Sequence, residues 1–244
     1  MKFTSHLSQA TLLKRTLKFL TEVITPNRQK LIIRCPNLML PHNCDILGSK
    51  VWYSNATGQN CLPTWELVEV DGGHLVCINP DLVKPLVIEA ISNGVIDELS
   101  NFTVVYSGAV NEQHQAKNIW LEDGNGKVCF VALEHIILGD NNCQGYVTGA
   151  ETASLVNLSN AISIHQEGHK AMILHCVTHT GVSNVKYAHD LNAEYLKLLQ
   201  VAVKMGIEVL AYKVTISYQE IKLTYQIPAC LPLATATFNQ RRVK

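Results

Sequence analysis

Three groups of side chains in this 244-residue chain have the types and spacing for chemistry. The first is acidic. Glu122, Asp123 and Glu134 flank the stretch EDGNGKVCFVALEH, which reads as a turn at Asp123–Gly126 followed by a strand. Carboxylates meeting at the base of such a hairpin could hold Mg²⁺, a hard cation that takes oxygen ligands. The simpler account is that Glu122 and Asp123 serve the turn itself, where Asp bonds its own backbone, and that Glu134 sits at an exposed strand end. The second group is His175 and His179 in HCVTH. On a helix, that spacing aims two imidazoles at one metal. The run AMILHCVTH reads as a strand, where residues four apart are separated by roughly 13 Å, so the pair is expected to be structural.

The third group is basic: Lys14, Arg15 and Lys18, with Arg34 further on. Cations that track a phosphate backbone, with aromatic rings that stack on bases, make a nucleic-acid groove. Trp65 is the candidate ring, and Trp52 and Tyr53 are close by in sequence. The competing account is a solvated basic edge with the tryptophans in a core. Asn37, after Cys35-Pro36, is a candidate ligand contact or a residue bonding its own turn. The eight cysteines contain no C-x-x-C pair and no signature of a nucleophile, so they are expected to be reduced thiols.

The elements that must position these groups differ along the chain. TLLKRTLKFLTEVIT, KLIIRC, KVWYS, TWELVEV and HLVCIN are strand-like runs separated by Pro-, Asn- and Gly-containing turns. About five strands within about 80 residues suggest a small barrel. NPDLVKPLVIEAISNG reads as a helix capped near Asn79 or Asp81, ended by Gly94 and joining two parts of the chain. Beyond it strands and helices alternate. AETASLVNLSNAISIHQEG and LNAEYLKLLQVAVKMG read as helices. FTVVYSG, KNIWLED, KVCFVALEHIIL, KAMILHCVTH, IEVLAYKVTIS and EIKLTYQI read as strands. That pattern points to an α/β core. The end of the chain, after Pro228, is expected to be mobile.

Composition excludes some classes. At 47% hydrophobic the chain can bury a good core, yet it has no apolar run of membrane-spanning length. No secretory signal is read at the N-terminus, so the protein is expected to be cytoplasmic. The formal net charge is zero, with a +3 excess in residues 1–80 and −3 after them. Phosphate binding needs a local excess of base, which favours the N-terminal part.

Several ordered stretches are familiar together: CPN at 35–37, VWYS at 51–54, TWEL at 64–67, IDELS at 96–100, AHDLNAEY at 188–195 and GIEVLAYK at 206–213. With TLLKRTLKFLTEV they resemble the bacterial sugar fermentation stimulation protein A family across nearly the whole chain. The resemblance implies an OB-type β-barrel at 1–80 and a PD-(D/E)xK nuclease-like α/β domain at 81–244. It also implies DNA as partner and a link to regulation of sugar metabolism; binding mainly to phosphates is expected to be weakly sequence-specific. In such nuclease-like domains two carboxylates and a lysine on adjacent strands place a metal and its attacking water. Aligned by sequence, those positions read Ile119, Ala132 and Glu134, none of them matching. The expectation is therefore a non-catalytic DNA-binding protein with no cofactor, using Lys14, Arg15, Lys18, Arg34, Asn37 and Trp65. The alternatives are a pseudoenzyme acting through protein contacts, for example as a homo-oligomer, and a residual metal-dependent nuclease.

Overall fold

The computed structural model describes residues 1–3, 5–56, 58, 61–104, 118–148, 152–187 and 192–231. The first part is built from strands that alternate between a dry inside and a wet outside. They are β1 (Ser8–Leu17), β2 (Leu20–Ile24), β3 (Lys30–Arg34), β4 (Lys50–Ser54), β5 (Thr64–Val70) and β6 (His74–Cys77). The run that looked continuous in sequence divides at Lys18–Phe19, where β1 turns back into β2. Neighbours run in the order β3-β2-β1-β4-β5-β6, and a bridge between Arg34 and Thr64 joins β3 to β5. That bridge closes β1–β5 into a barrel. Leu12, Val23, Ile33, Val51, Trp65 and Val68 fill it.

β6 lies outside the closure and would be a bare edge, which proteins avoid. Here the segment after a distant strand covers it. Cys77 N donates to Thr178 O, and Thr180 N to Leu75 O, both at 2.9 Å. The Thr178 hydroxyl adds a bond to Cys77 O, and Leu75 N donates to the Thr180 hydroxyl.

A short 3₁₀ turn at Pro80–Leu82, with the Asn79 side chain accepting from Asp81 N, leads into α1 (Val83–Ser92). Pro85 falls in its first turn, where a missing N–H costs nothing. Gly94 ends it at φ +68°. The helix is no free linker. Val83, Leu86, Val87, Ala90 and Ile91 are buried, sharing one core with Trp52 and Leu67 of the barrel.

Next come β7 (Phe102–Val104), β8 (Ile119–Asp123), β9 (Val128–Ile136) and β10 (Gln144–Val147). They are followed by α2 (Thr152–Gln166), β11 (Lys170–Val177), β12 (Asn184–Tyr187), α3 (Ala193–Lys204), β13 (Glu208–Ile216) and β14 (Ile221–Ile227). One sheet has the order β14-β13-β11-β9-β8-β7, with β9, β11 and β13 parallel. β10 and β12 form a separate parallel pair. Alternate residues of β9 and β11 face α1 and the barrel on one side, and α2 and α3 on the other. Residues Pro228–Cys230, expected to begin a mobile tail, bond instead to Val185. The remainder of that tail, 232–244, lies outside the described residues.

Candidate nucleic-acid face and nuclease-like cluster

The outer face of β1, β2 and β3 carries the basic residues. Lys14 stands opposite Glu22, which stands opposite Ile32. Arg34 follows Ile32 by two residues and so shares its face. Lys14 and Lys18 are exposed and make no ion pair among the described residues. Arg34 is half-exposed, with Asp81 at 3.7 Å, a distance that leaves it available. Arg15 behaves differently. Its strand position has inward parity, so its side chain lies mostly buried, pairing with Asp45 at 3.0 Å and bonding the Lys18 carbonyl. It holds the β1–β2 turn that presents Lys18.

Two expected contacts are corrected. Trp65 is wholly inside the barrel, and its indole N–H donates to Leu67 O at 2.9 Å. No face of the ring is open to a base. Asn37 is 9% exposed, and its side-chain oxygen accepts from Met39 N, so it secures its own turn. The available ring is Phe19, 50% exposed in the turn beside Lys18. Leu17, Ile32, Leu38 and Met39 are also exposed on this part of the barrel. The apolar residues of α2, by contrast, turn largely onto the sheet: Leu158, Ala161 and Ile162 are buried there.

The second assembly lies between the large sheet and α2 and α3. Ile119 pairs with Val131, and both side chains point toward α1. Ala132 and Glu134 point the opposite way. Since residues opposite one another on antiparallel strands share a face, the partner of Ala132 is Asn118. Asn118, and not Ile119, therefore shares the face of Ala132 and Glu134. Asn118 accepts from Leu133 N at 3.2 Å and donates to the Asn157 side chain at 2.8 Å. Glu134 accepts from Ser154 of α2 at 2.9 Å. His175 is its register partner on β11 and meets the Tyr187 hydroxyl at 3.0 Å. α3 starts on an Asn192 cap that bonds Glu194 N and Tyr195 N, which sets Tyr195 against this cluster.

Burial dominates the electrostatics here. His175 is fully enclosed and its imidazole falls to about 4, so it is neutral. Burial, then the charge of Glu134, pushes both the Tyr187 and Tyr195 hydroxyls upward. The His175 Nδ1 and the Tyr195 hydroxyl have no partner among the described residues.

This donor set does not fit a hard divalent cation. Asn118 spends both ends of its amide on protein groups, Ala132 has no donor, and one carboxylate remains. The shifted site fares no better. Glu122 lies opposite Val128, six residues along β9 from Glu134 and so roughly 20 Å away. Asp123 accepts from Asn125 N and Lys127 N within its hairpin turn. Among the described residues no group of three His, Cys, Asp or Glu side chains is placed to hold a metal. Nor, among them, is any helix long and apolar enough to cross a membrane.

The profile of the "Sugar fermentation stimulation protein RE domain" matches residues 81–220. A "Sugar fermentation stimulation protein homolog" from Marinomonas sp. (strain MWYL1) is 34% identical over 236 residues, covering 95% of this chain and 91% of its own. The structure of Pyrococcus furiosus SfsA in complex with Ca²⁺ superposes with a TM-score of 0.81 over 94% of this chain and 97% of that one. Its identity is 17%, so the likeness is one of fold: an OB-type barrel followed by a nuclease-like domain.

Proposed function

The chain belongs to the sugar fermentation stimulation protein family, and on that premise we propose that it binds nucleic acid through the outer face of the barrel, without catalysis. The observation that carries this reading is the exposed set Lys14, Lys18, Phe19 and Arg34 on β1–β3 and their turn. Lysine and arginine neutralise phosphates and release counterions, and a half-exposed ring offers a stacking surface for an unpaired base. Arg15 acts behind them by fixing the turn. Binding of this kind is read through phosphates and stacking, so it is weakly sequence-specific.

The absence of catalysis rests on Asn118, Ala132 and Glu134. A metal such as the Ca²⁺ of the Pyrococcus furiosus protein would find one carboxylate at this place, and hydrolysis of a phosphodiester needs the metal's charge to stabilise the transition state. The test is anisotropy of a labelled duplex and a labelled single strand from low to moderate salt, with and without Mg²⁺. Salt-sensitive binding to intact DNA is expected. No binding at low salt would overturn the reading.

A second reading draws on Leu17, Leu38 and Met39, each more than half exposed beside the same face. Apolar exposure of this kind suits a protein contact. It predicts an oligomer in solution and no retention of DNA.

A further inference from the structure

A cleft of about 300 Å³ opens where the barrel meets the large sheet. The β5–β6 turn forms one wall with Asp71 and His74; Gly139 and Asp140, beyond β9, and His179, beyond β11, form the other. The place is a favourable one. It lies beyond the carboxyl ends of two parallel strands and at a domain junction, where small-molecule sites concentrate. It is separate from the nuclease-like cluster. His179 follows His175 by four residues and Gly139 follows Glu134 by five, which places the cleft further along the same strand direction.

Its chemistry is set by one buried ring. His179 is 4% exposed, and its Nδ1 accepts from Gly181 N at 3.0 Å. The proton of the neutral imidazole is therefore on Nε2. Nε2 makes no hydrogen bond among the described residues, and His179 lines the cleft. It borders Gly139, where a Cβ would come within 2.9 Å of it. A glycine there leaves the N–H uncovered toward the cleft. Burial, then the charges of His74 and Lys213, lowers His179 to about 4, so the donor persists at neutral pH.

The remaining lining selects the ligand. Among the described residues lining the cleft there is no lysine or arginine, while Asp71 and Asp140 are acidic. Asp140 is occupied, accepting from Asn142 N, Gln144 N and the Tyr146 hydroxyl. Asp71 is exposed and makes no hydrogen bond or ion pair among the described residues. An anion would face these carboxylates. A divalent metal would need a lone pair at Nε2, which carries the proton. A purely cationic ligand has nothing to accept from His179, and an apolar one would leave that buried donor unpaired. A hydroxyl both donates and accepts, and so satisfies both sides.

We propose that this cleft binds a small uncharged polyhydroxylated molecule, the Nε2–H of His179 donating to one hydroxyl and the Asp71 carboxylate accepting from others. The site is independent of the nucleic-acid face, and Lys14→Ala with Lys18→Ala leaves it unchanged. The test is calorimetric titration of the full chain with D-glucose and with D-ribose, and in parallel with zinc chloride, potassium phosphate and spermidine. Saturable binding of at least one of the two sugars is expected. Asp71→Ala, on an exposed turn, weakens it about tenfold or more, as loss of a bond to a charged group does. Gly139→Ala, which crowds Nε2, weakens it too. Failure of both sugars to saturate overturns the proposal. So does saturation by zinc, phosphate or spermidine in their place, or sugar binding that survives Asp71→Ala at full strength.

Discussion

Asn118 donates a 2.8 Å hydrogen bond to Asn157, across the gap between β8 and α2. With its other end on Leu133 N, the amide is committed to the scaffold. Incubating supercoiled DNA with the protein and Mg²⁺ or Mn²⁺ is accordingly expected to leave it uncut, and Glu134→Gln to leave DNA binding unchanged. Metal-dependent nicking that disappears in Glu134→Gln would restore the enzyme.

Lys14→Ala combined with Lys18→Ala should remove two phosphate contacts. The slope of log K against log salt is then shallower by about 2, since each contact contributes about 0.9 on duplex DNA. An unchanged slope would move the interface elsewhere on the molecule.

Phe19 and Trp65 should separate function from stability. Phe19→Ala is expected to weaken single-strand binding by about 1–3 kcal/mol, the worth of one stacked base, with little change in Tm. Trp65→Ala should cost about 3–5 kcal/mol of stability through the cavity it leaves. Thermal melts and anisotropy on both variants read the difference. Loss of single-strand affinity only in a folded Trp65→Ala protein would reverse the assignment.

The buried histidines set an acid limit. His175 and His179 are both lowered to about 4 in the folded chain, by burial first. Unfolded, they titrate near about 6.5. Above that value neither state binds the proton and the pair has no effect on stability. Between about 6.5 and 4 the unfolded chain takes up protons that the native chain refuses, so stability falls as the pH is lowered. Each histidine adds a slope of up to about 1.4 kcal/mol per pH unit. Urea midpoints between pH 7 and 4.5 should show this, and His175→Gln should flatten it by up to one proton's worth. A midpoint indifferent to pH across that window would contradict the burial of both rings.

Much of the architecture could be read from alternation and periodicity. β5 is plain as a β-rich run, β11 as an apolar one, and α3 as an amphipathic stripe closed by Gly206. The errors have physical causes. A strand's side chains change face at every residue, so one residue separates Asn118, on the face of Ala132 and Glu134, from Ile119 on the α1 side, a difference the strand-like run alone does not show. Trp65 and Phe19 exchanged places for a related reason. Both stand in β-rich runs, and composition gives no sign that Phe19 sits in the tight turn between β1 and β2. The cleft was hidden because its walls come from segments around residues 71, 139 and 179, which only the packed fold brings together.

The ladder between Leu75–Cys77 and Thr178–Thr180 bears on how this molecule can be taken apart. A gene cut near codon 80 would yield a barrel whose last strand keeps its unpaired amides and whose Trp52, Leu67 and Cys77 have lost their cover. Such a fragment would seek another strand to complete itself and precipitate in the attempt. Exchange of one half for a relative's should then carry the matching threonines of the other, or lose the Thr178 and Thr180 hydroxyl bonds across the seam.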